Sequence, residues 1–328
     1  MDDRSPLPVH RYSDSADLPS PNLRPRHREL IPTPCGPIKP WSELTCLVKL
    51  YYCVTISSLL AVLAVTAVNI YKQIQNPSYH EDFIVSLIQL VGILFCCYYV
   101  SRGILQENRQ ELIVFVASVL LVMIRSIVNF AVLPASEKDS LILVRFVCIV
   151  CIGLFHVICS TLLIWSPNMM AFRVGGALES LQEQYFLLNV CFSMVTFDLQ
   201  AQICLCILVL TSGVYNISFS HSIILGFGIF WACLTSAVGV IAVLKELKPL
   251  VWVFMFQNLP ELAYLIFLLY QIITQWGAGG SYALEAAAIT GSIISVVIKG
   301  VLFWSLTRLY RSFGQGLRER MFASEQQQ

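Results

Sequence analysis

Eight long apolar runs leave this chain little choice of fold. They cover residues 47–71, 83–101, 112–133, 141–166, 185–212, 220–244, 250–274 and 281–306. A bilayer core of about 30 Å is crossed by roughly 20 helical residues rising 1.5 Å each, and every run is close to that length or longer. Composition agrees: 57% of the 328 residues are hydrophobic and 12% are charged, and the mean hydropathy is +0.72. A soluble domain carries roughly 25% charged residues. Period-two alternation is not sustained anywhere, which argues against a β-barrel, and a helix in lipid satisfies its own backbone. The expectation is an all-α, polytopic membrane helix bundle with eight transmembrane helices over 41–306. A tail of 1–40 precedes it and one of 307–328 follows. The connections are short, the longest being 167–184, and no soluble domain is inserted.

Charge asymmetry orients the bundle. An even number of spans puts both termini on one side. That side, with the loops after spans 2, 4 and 6, holds 15 of the 21 lysines and arginines, against two (Lys72 and Lys138) on the other. The excess of positive charge predicts cytoplasmic N- and C-termini. The sequon Asn216-Ile217-Ser218 falls on the outer side, and none of the twelve cysteines falls in an outer loop, so no disulfide framework is expected. No apolar run precedes residue 44, so a cleavable signal peptide is not expected and span 1 should act as a signal anchor.

Residues 1–40 hold nine of fourteen prolines. Proline donates no backbone hydrogen bond and fixes φ, so the stretch reads as a disordered cytoplasmic tail. Within it, RHRELIP has the form of an acidic dileucine sorting signal on Leu30-Ile31, with Arg26 where an acid is usual. Serines 5, 13, 15 and 20 are candidates for phosphorylation. In the C-terminal tail, Leu306, Leu309, Tyr310, Phe313, Leu317 and Met321 recur at three or four residues, with Arg308, Arg311, Arg318 and Arg320 opposite. That pattern predicts a basic amphipathic helix on the inner leaflet, weakened by Gly314 and Gly316. Cys46, Cys96 and Cys97 stand where acylation occurs, though cysteine is also a common apolar filler.

The polar residues inside the spans carry the functional signal. An ionised side chain at a helix centre costs roughly 2.5–3.5 kcal/mol on insertion scales, so such residues turn inward and find partners. In MVTFDLQAQICLCILVL (194–210), Asp198 and Gln202 share one face while Gln200 points nearly opposite. At least two neighbouring helices must then supply partners, which places span 5 centrally. Span 7, WVFMFQNLPELAYLIFLLY, brings Gln257, Asn258 and Tyr264 onto the face of Glu261, and Pro260 should kink or open the helix. Arg125 in span 3 is the expected counter-charge for Asp198 or Glu261. His156 in span 4 could change charge near neutral pH, although a neutral ring bonded to a carbonyl is the plainer state. Arg145 lies where it can snorkel outward. Span 8 holds Glu285, Lys299 nearer its inner end, and a small-residue stripe, Ala283, Ala287, Gly291 and Ser295. The stripe admits close approach by another helix, preferentially within the bundle. Cys148, Cys151 and Cys159 near His156 match no standard metal spacing.

No P-loop, HExxH, GxSxG or GxGxxG is present, so an enzyme is disfavoured and neither a cofactor nor a nucleic-acid partner is expected. A voltage-sensor ladder and a potassium-type filter are missing too. Two functions are carried forward. One is a transporter or channel for a small solute or ion, proton or cation, using midplane carboxylates, with Asp198, Gln202, Glu261, Gln257, Asn258, Arg125 and His156 as candidate site residues. The other is a scaffold, accessory subunit or trafficking factor that binds protein partners through its tails or the span 8 stripe. A receptor is a third option, at odds with a cytoplasmic N-terminus. No internal repeat is evident between the halves, which counts against a transporter. The lipid bilayer is the certain partner, with plasma and endolysosomal membranes both open.

Overall fold

The structure is a computed structural model that describes residues 30–31, 33–75, 80–132, 140–167, 169–176, 178–212, 219–274, 282–315, 317 and 321. The sequon at Asn216, Lys138, the four tail serines, Arg318 and Arg320 lie outside them, as do the side chains of Arg145 and Glu285. Among the described residues the chain forms α1 (Cys46–Gln75), α2 (His80–Leu105), α3 (Arg109–Val132), α4 (Ser140–Trp165), α5 (Met169–Gly175), α6 (Glu179–Ser212), α7 (Phe219–Leu244), α8 (Lys248–Thr274) and α9 (Tyr282–Arg311). All but α5 are long and apolar enough to span a membrane. The chain is a multi-pass membrane protein. Large apolar side chains such as Leu60, Ile158, Phe227 and Ile266 point outward, where lipid is the only solvent that suits them.

The helices form two units of four. Leu59, Tyr99, Val100, Phe115 and Met123 centre the core of α1–α4. Leu188, Phe192, Phe254, Leu302 and Leu306 centre that of α6–α9. The two units repeat one another, although no repeat is evident from sequence. Helices α2 and α7 run 80–105 and 219–244, an offset of 139 residues at both ends. The turns that follow are the same motif. Glu107 and Glu246 take φ 48° and 50°. The Asn108 amide donates to the Gly103 carbonyl (2.9 Å) as the Leu247 amide does to Ala242 (3.1 Å). Those of Glu107 and Glu246 donate to Ile104 and Val243, each at 3.4 Å. This is a Schellman cap with glutamate in the left-handed position that glycine usually fills. Residue identity is hardly kept between the halves, which hides the repeat from a sequence pass. Four crossings per unit make the two units parallel, and α6 joins them by packing against α2 and α3 as well as α7 and α9.

The first and last described segments, near residues 30–44 and 306–321, meet at one end of the bundle, the tail end. The last part of the expected disordered tail is folded there. Ile31 and Ile38 exchange backbone hydrogen bonds of 3.0 and 2.9 Å, Leu30 packs on the α6–α9 core, and Lys39 pairs with Glu107. Of the dileucine pair, Leu30 is therefore partly covered while Ile31 stays exposed. Glu43 pairs with Arg173 of α5 at 2.8 Å. At the other terminus, α9 ends at Arg311 and Gly314 turns the chain at φ 90°. The amphipathic face is real, but protein covers it: Leu306, Leu309, Leu317 and Met321 lie buried in the core with Met170 and Val174. The described part of the small-residue stripe faces α6, where a Cβ on Gly291 would touch Leu205 at 3.0 Å. Cys96 is buried, as an apolar filler would be.

Candidate functional site

Three helices of the second unit converge on one ammonium group. Lys299 Nζ of α9 lies 2.8 Å from Asp198 Oδ2 of α6 and 2.7 Å from Glu261 Oε2 of α8. It donates also to Asn258 Oδ1 at 2.8 Å. Lys299 is 2% exposed and Asn258 fully buried. The Asn258 amide is oriented by its own donation to the Phe254 carbonyl, 2.8 Å away and one turn back. Gln202, one turn beyond Asp198, donates to Ser295 Oγ of α9 at 3.2 Å. The small residues of α9 make this convergence feasible, because they let its backbone approach α6 closely.

A narrow cleft runs between α6, α7 and α8, lined by Asp198, Gln202, Thr235, Ser236 and Glu261 with Val195 and Phe254. Nowhere does it admit a water-sized sphere. Among the described residues, Asp198 Oδ1, Glu261 Oε1 and Thr235 Oγ1 are buried without a hydrogen-bond partner. Each carboxylate thus spends one oxygen on Lys299 and keeps one unpartnered. Within the triad the charges are one positive and two negative, a net of minus one among these three groups.

Of the seven residues singled out from sequence, Asp198, Gln202, Asn258 and Glu261 are brought together. Gln257 lies on the same helix, but its backbone carbonyl accepts from Trp231 Nε1 (3.3 Å) and its side-chain oxygen is buried unpartnered among the described residues. Two expectations are corrected. The counter-charge is Lys299, not Arg125, which sits on α3 in electrostatic range of Cys204. His156 belongs to another network: its Nε2 meets Ser58 Oγ of α1 at 2.9 Å, a hydroxyl rather than the expected carbonyl. Nor does Pro260 open α8, which stays helical from Lys248 to Thr274. The Trp231 indole donates to the Gln257 carbonyl, the neighbour of the Phe256 carbonyl that Pro260 leaves without its helical donor.

Lys299 was visible in the sequence but placed too near the inner end. Cα–Cβ bonds tilt toward the N-terminus of a helix, so the long lysine side chain of α9 extends back toward the middle of the span. Thr235 gave no sequence signal, since hydroxyls in apolar helices are common, and Ser295 stood out only as part of the small-residue stripe, not as the partner of Gln202.

Gln200 confirms the two-faced reading of α6. Its Oε1 accepts from Tyr99 Oη of α2 at 2.8 Å and from Ser118 of α3 at 3.5 Å, on the side away from Asp198. A further buried pair, Arg102–Glu111 at 2.9 Å, lies toward the tail end between the units.

The fold and site define a class: a duplicated eight-span helix bundle with a charged triad inside one of its two units. The chain belongs to the family described as a domain of unknown function, DUF7789, which it matches over residues 35–165 and 175–308. Those stretches correspond to the two four-helix units. No curated protein and no solved structure matches the chain.

Proposed function

We propose that the protein is a membrane transporter or channel for a small solute or ion, in which the Asp198–Lys299–Glu261 triad is the ion-responsive site. The observation that carries this reading is the charge imbalance. Two carboxylates share one lysine, each keeps a buried oxygen without a partner among the described residues, and both residues line one cleft. A group that only pinned helix registry would do so more cheaply as a neutral pair, because an uncompensated buried charge is costly. The parallel duplication adds support, since repeats of this kind are common among transporters. In this reading the chain is not an enzyme, both termini are cytoplasmic, and the membrane is plasma or endolysosomal.

The test is flux in vesicles reconstituted with the full chain and a trapped pH dye. A pH gradient is imposed with alkali cations, amino acids, sugars or organic acids outside. Wild-type vesicles should dissipate the gradient in at least one condition, with Asp198→Asn and Glu261→Gln slower by roughly tenfold or more, about 1.4 kcal/mol of barrier. Rates equal to protein-free vesicles throughout, or unchanged in both variants, overturn the assignment.

The narrowness of the cleft favours a second reading, a non-transporting scaffold or accessory subunit whose triad locks α6, α8 and α9 together. It predicts that the triple variant Asp198→Asn, Glu261→Gln, Lys299→Met folds and keeps its partners while no condition gives flux.

A further inference from the structure

We infer that the ligand of the triad is a single proton, carried on Asp198 Oδ1 or Glu261 Oε1 beside the cleft that Thr235 also lines. This deepens the transport reading by naming its ion, and rests on that reading only for the site's role in flux.

Three observations converge. The first is charge: with Lys299 at plus one and the two acids at minus one each, one added proton makes the cluster neutral. A divalent ion would overshoot. The second is hydrogen bonding. Asp198 Oδ1, Glu261 Oε1 and Thr235 Oγ1 are buried and unpartnered among the described residues. Protonation of one carboxylate supplies an O–H donor among acceptor carboxylates, in a cleft lined also by the Thr235 and Ser236 hydroxyls and the Gln202 amide. The third is space. The cleft between these groups does not seat a water-sized sphere, and an alkali cation needs comparable room as well as several oxygens around it. A proton needs neither.

Among the described residues, no charged side chain other than Asp198 and Glu261 lines the cleft. Helix α7 presents the hydroxyls of Thr235 and Ser236. Helix α6 adds the Cys206 thiol within electrostatic range of Glu261, α8 adds the neutral Asn258, and α9 adds Lys299 itself. The step is plain proton binding: hydronium gives up a proton, water leaves, and the carboxylate becomes a carboxylic acid with no electron transfer.

Charge counting makes the inference sharp. Removing either acid leaves a neutral lysine–carboxylate pair that has no use for the proton. Removing the lysine leaves two acids that each need one. Infrared spectroscopy of the full chain in lipid nanodiscs, in sodium-free buffer near neutral pH, reads this from the carbonyl stretch of protonated carboxyl groups. Recorded in a Glu111→Gln background, which removes the fully buried carboxylate of the Arg102–Glu111 pair, the spectrum should show a band that vanishes on adding Asp198→Asn and also on adding Glu261→Gln, and that roughly doubles on adding Lys299→Met. Adding sodium or potassium should leave the background's band unchanged. A band that survives either single substitution, that is absent from the background, or that alkali cations displace, overturns the proposal. The two single variants keep a paired lysine, so the test stands even where Lys299→Met does not fold. Correct bands without flux would sink the transport reading alone. Cation-dependent flux without these bands would sink the proton alone.

Discussion

The two units share a turn down to the residue in its left-handed position, yet they bury different things. In the second unit α6, α8 and α9 enclose Asp198, Glu261 and Lys299. Stepping back 139 residues gives Leu59, Val122 and Ser160, and Val119 for Asn258. The first unit has a neutral network instead: Tyr51 Oη lies 2.7 Å from Ser160 Oγ, and Ser58 meets His156. Both arrangements tie the first helix of a unit to its fourth. Hydroxyls and an imidazole suffice for that tie, so the charges of the second unit are more than architecture requires. The duplication thus acts as an internal control for the function assigned to the triad.

The largest expected effect separates the units by stability. Lys299→Met strands two buried carboxylates, and breaking a buried ion pair from one side costs about 3–5 kcal/mol. The variant should lose most of its folded yield in detergent, judged by size-exclusion chromatography after heating. Adding Asp198→Asn and Glu261→Gln should restore it, because the coupling between contacting residues is not additive. If Lys299→Met alone melts like wild type, the triad is not the tight cluster described, and the contrast between the units collapses.

A middle effect concerns what the units share. Glutamate at positive φ costs roughly 1–2 kcal/mol that glycine would avoid, so the carboxylates must return something. Glu107 Oε2 accepts the Met170 amide at 3.0 Å, just after the last helix of its unit, and Glu246 Oε2 accepts the Gly314 amide at 2.9 Å, just after the last helix of the other. Each glutamate therefore ties its turn to the segment that follows the unit. Glu107 also holds Lys39. Glu107→Gly should destabilise despite relieving the backbone, and limited proteolysis should cut near residues 30–44 sooner. Glu246→Gly should be near neutral, because one half-exposed bond of about 1 kcal/mol roughly offsets the relief. Stabilisation by both substitutions would show that the carboxylates are incidental.

How much of this was legible beforehand depends on whether the property is local. Hydropathy is a sum over one segment, so the eight crossings emerged with helix ends displaced by a few residues. Most helices run longer because polar ends continue past the lipid: α6 begins at Glu179 rather than 185, where its first turns pack against α5. The opposed faces of Asp198 and Gln200 followed from helical geometry alone. Lys299 did not, because the depth of a Cα differs from the reach of a long side chain. The face from Leu306 to Met321 was legible as apolar. That protein covers it depends on α5, too short and mixed to be seen by hydropathy. The duplication rests on backbone geometry that glutamate, an unusual residue at positive φ, does not advertise.

The smallest effect tests whether the neutral network between α1 and α4 is as plain as it looks. Ser160→Ala removes the hydroxyl partner of Tyr51, and an interhelical hydrogen bond in a membrane is worth about 0.6 kcal/mol, rarely above 1.7. Ser160 is fully buried and lies on α4 against α1, so the lost bond leaves the Tyr51 hydroxyl without that partner. A fall in melting temperature near the limit of detection, with no change in flux or in the infrared band, is expected. A loss of flux comparable to that of Asp198→Asn would place the first unit inside the mechanism. The working site would then have to be drawn across both units, with Ser160 and His156 as its neutral half.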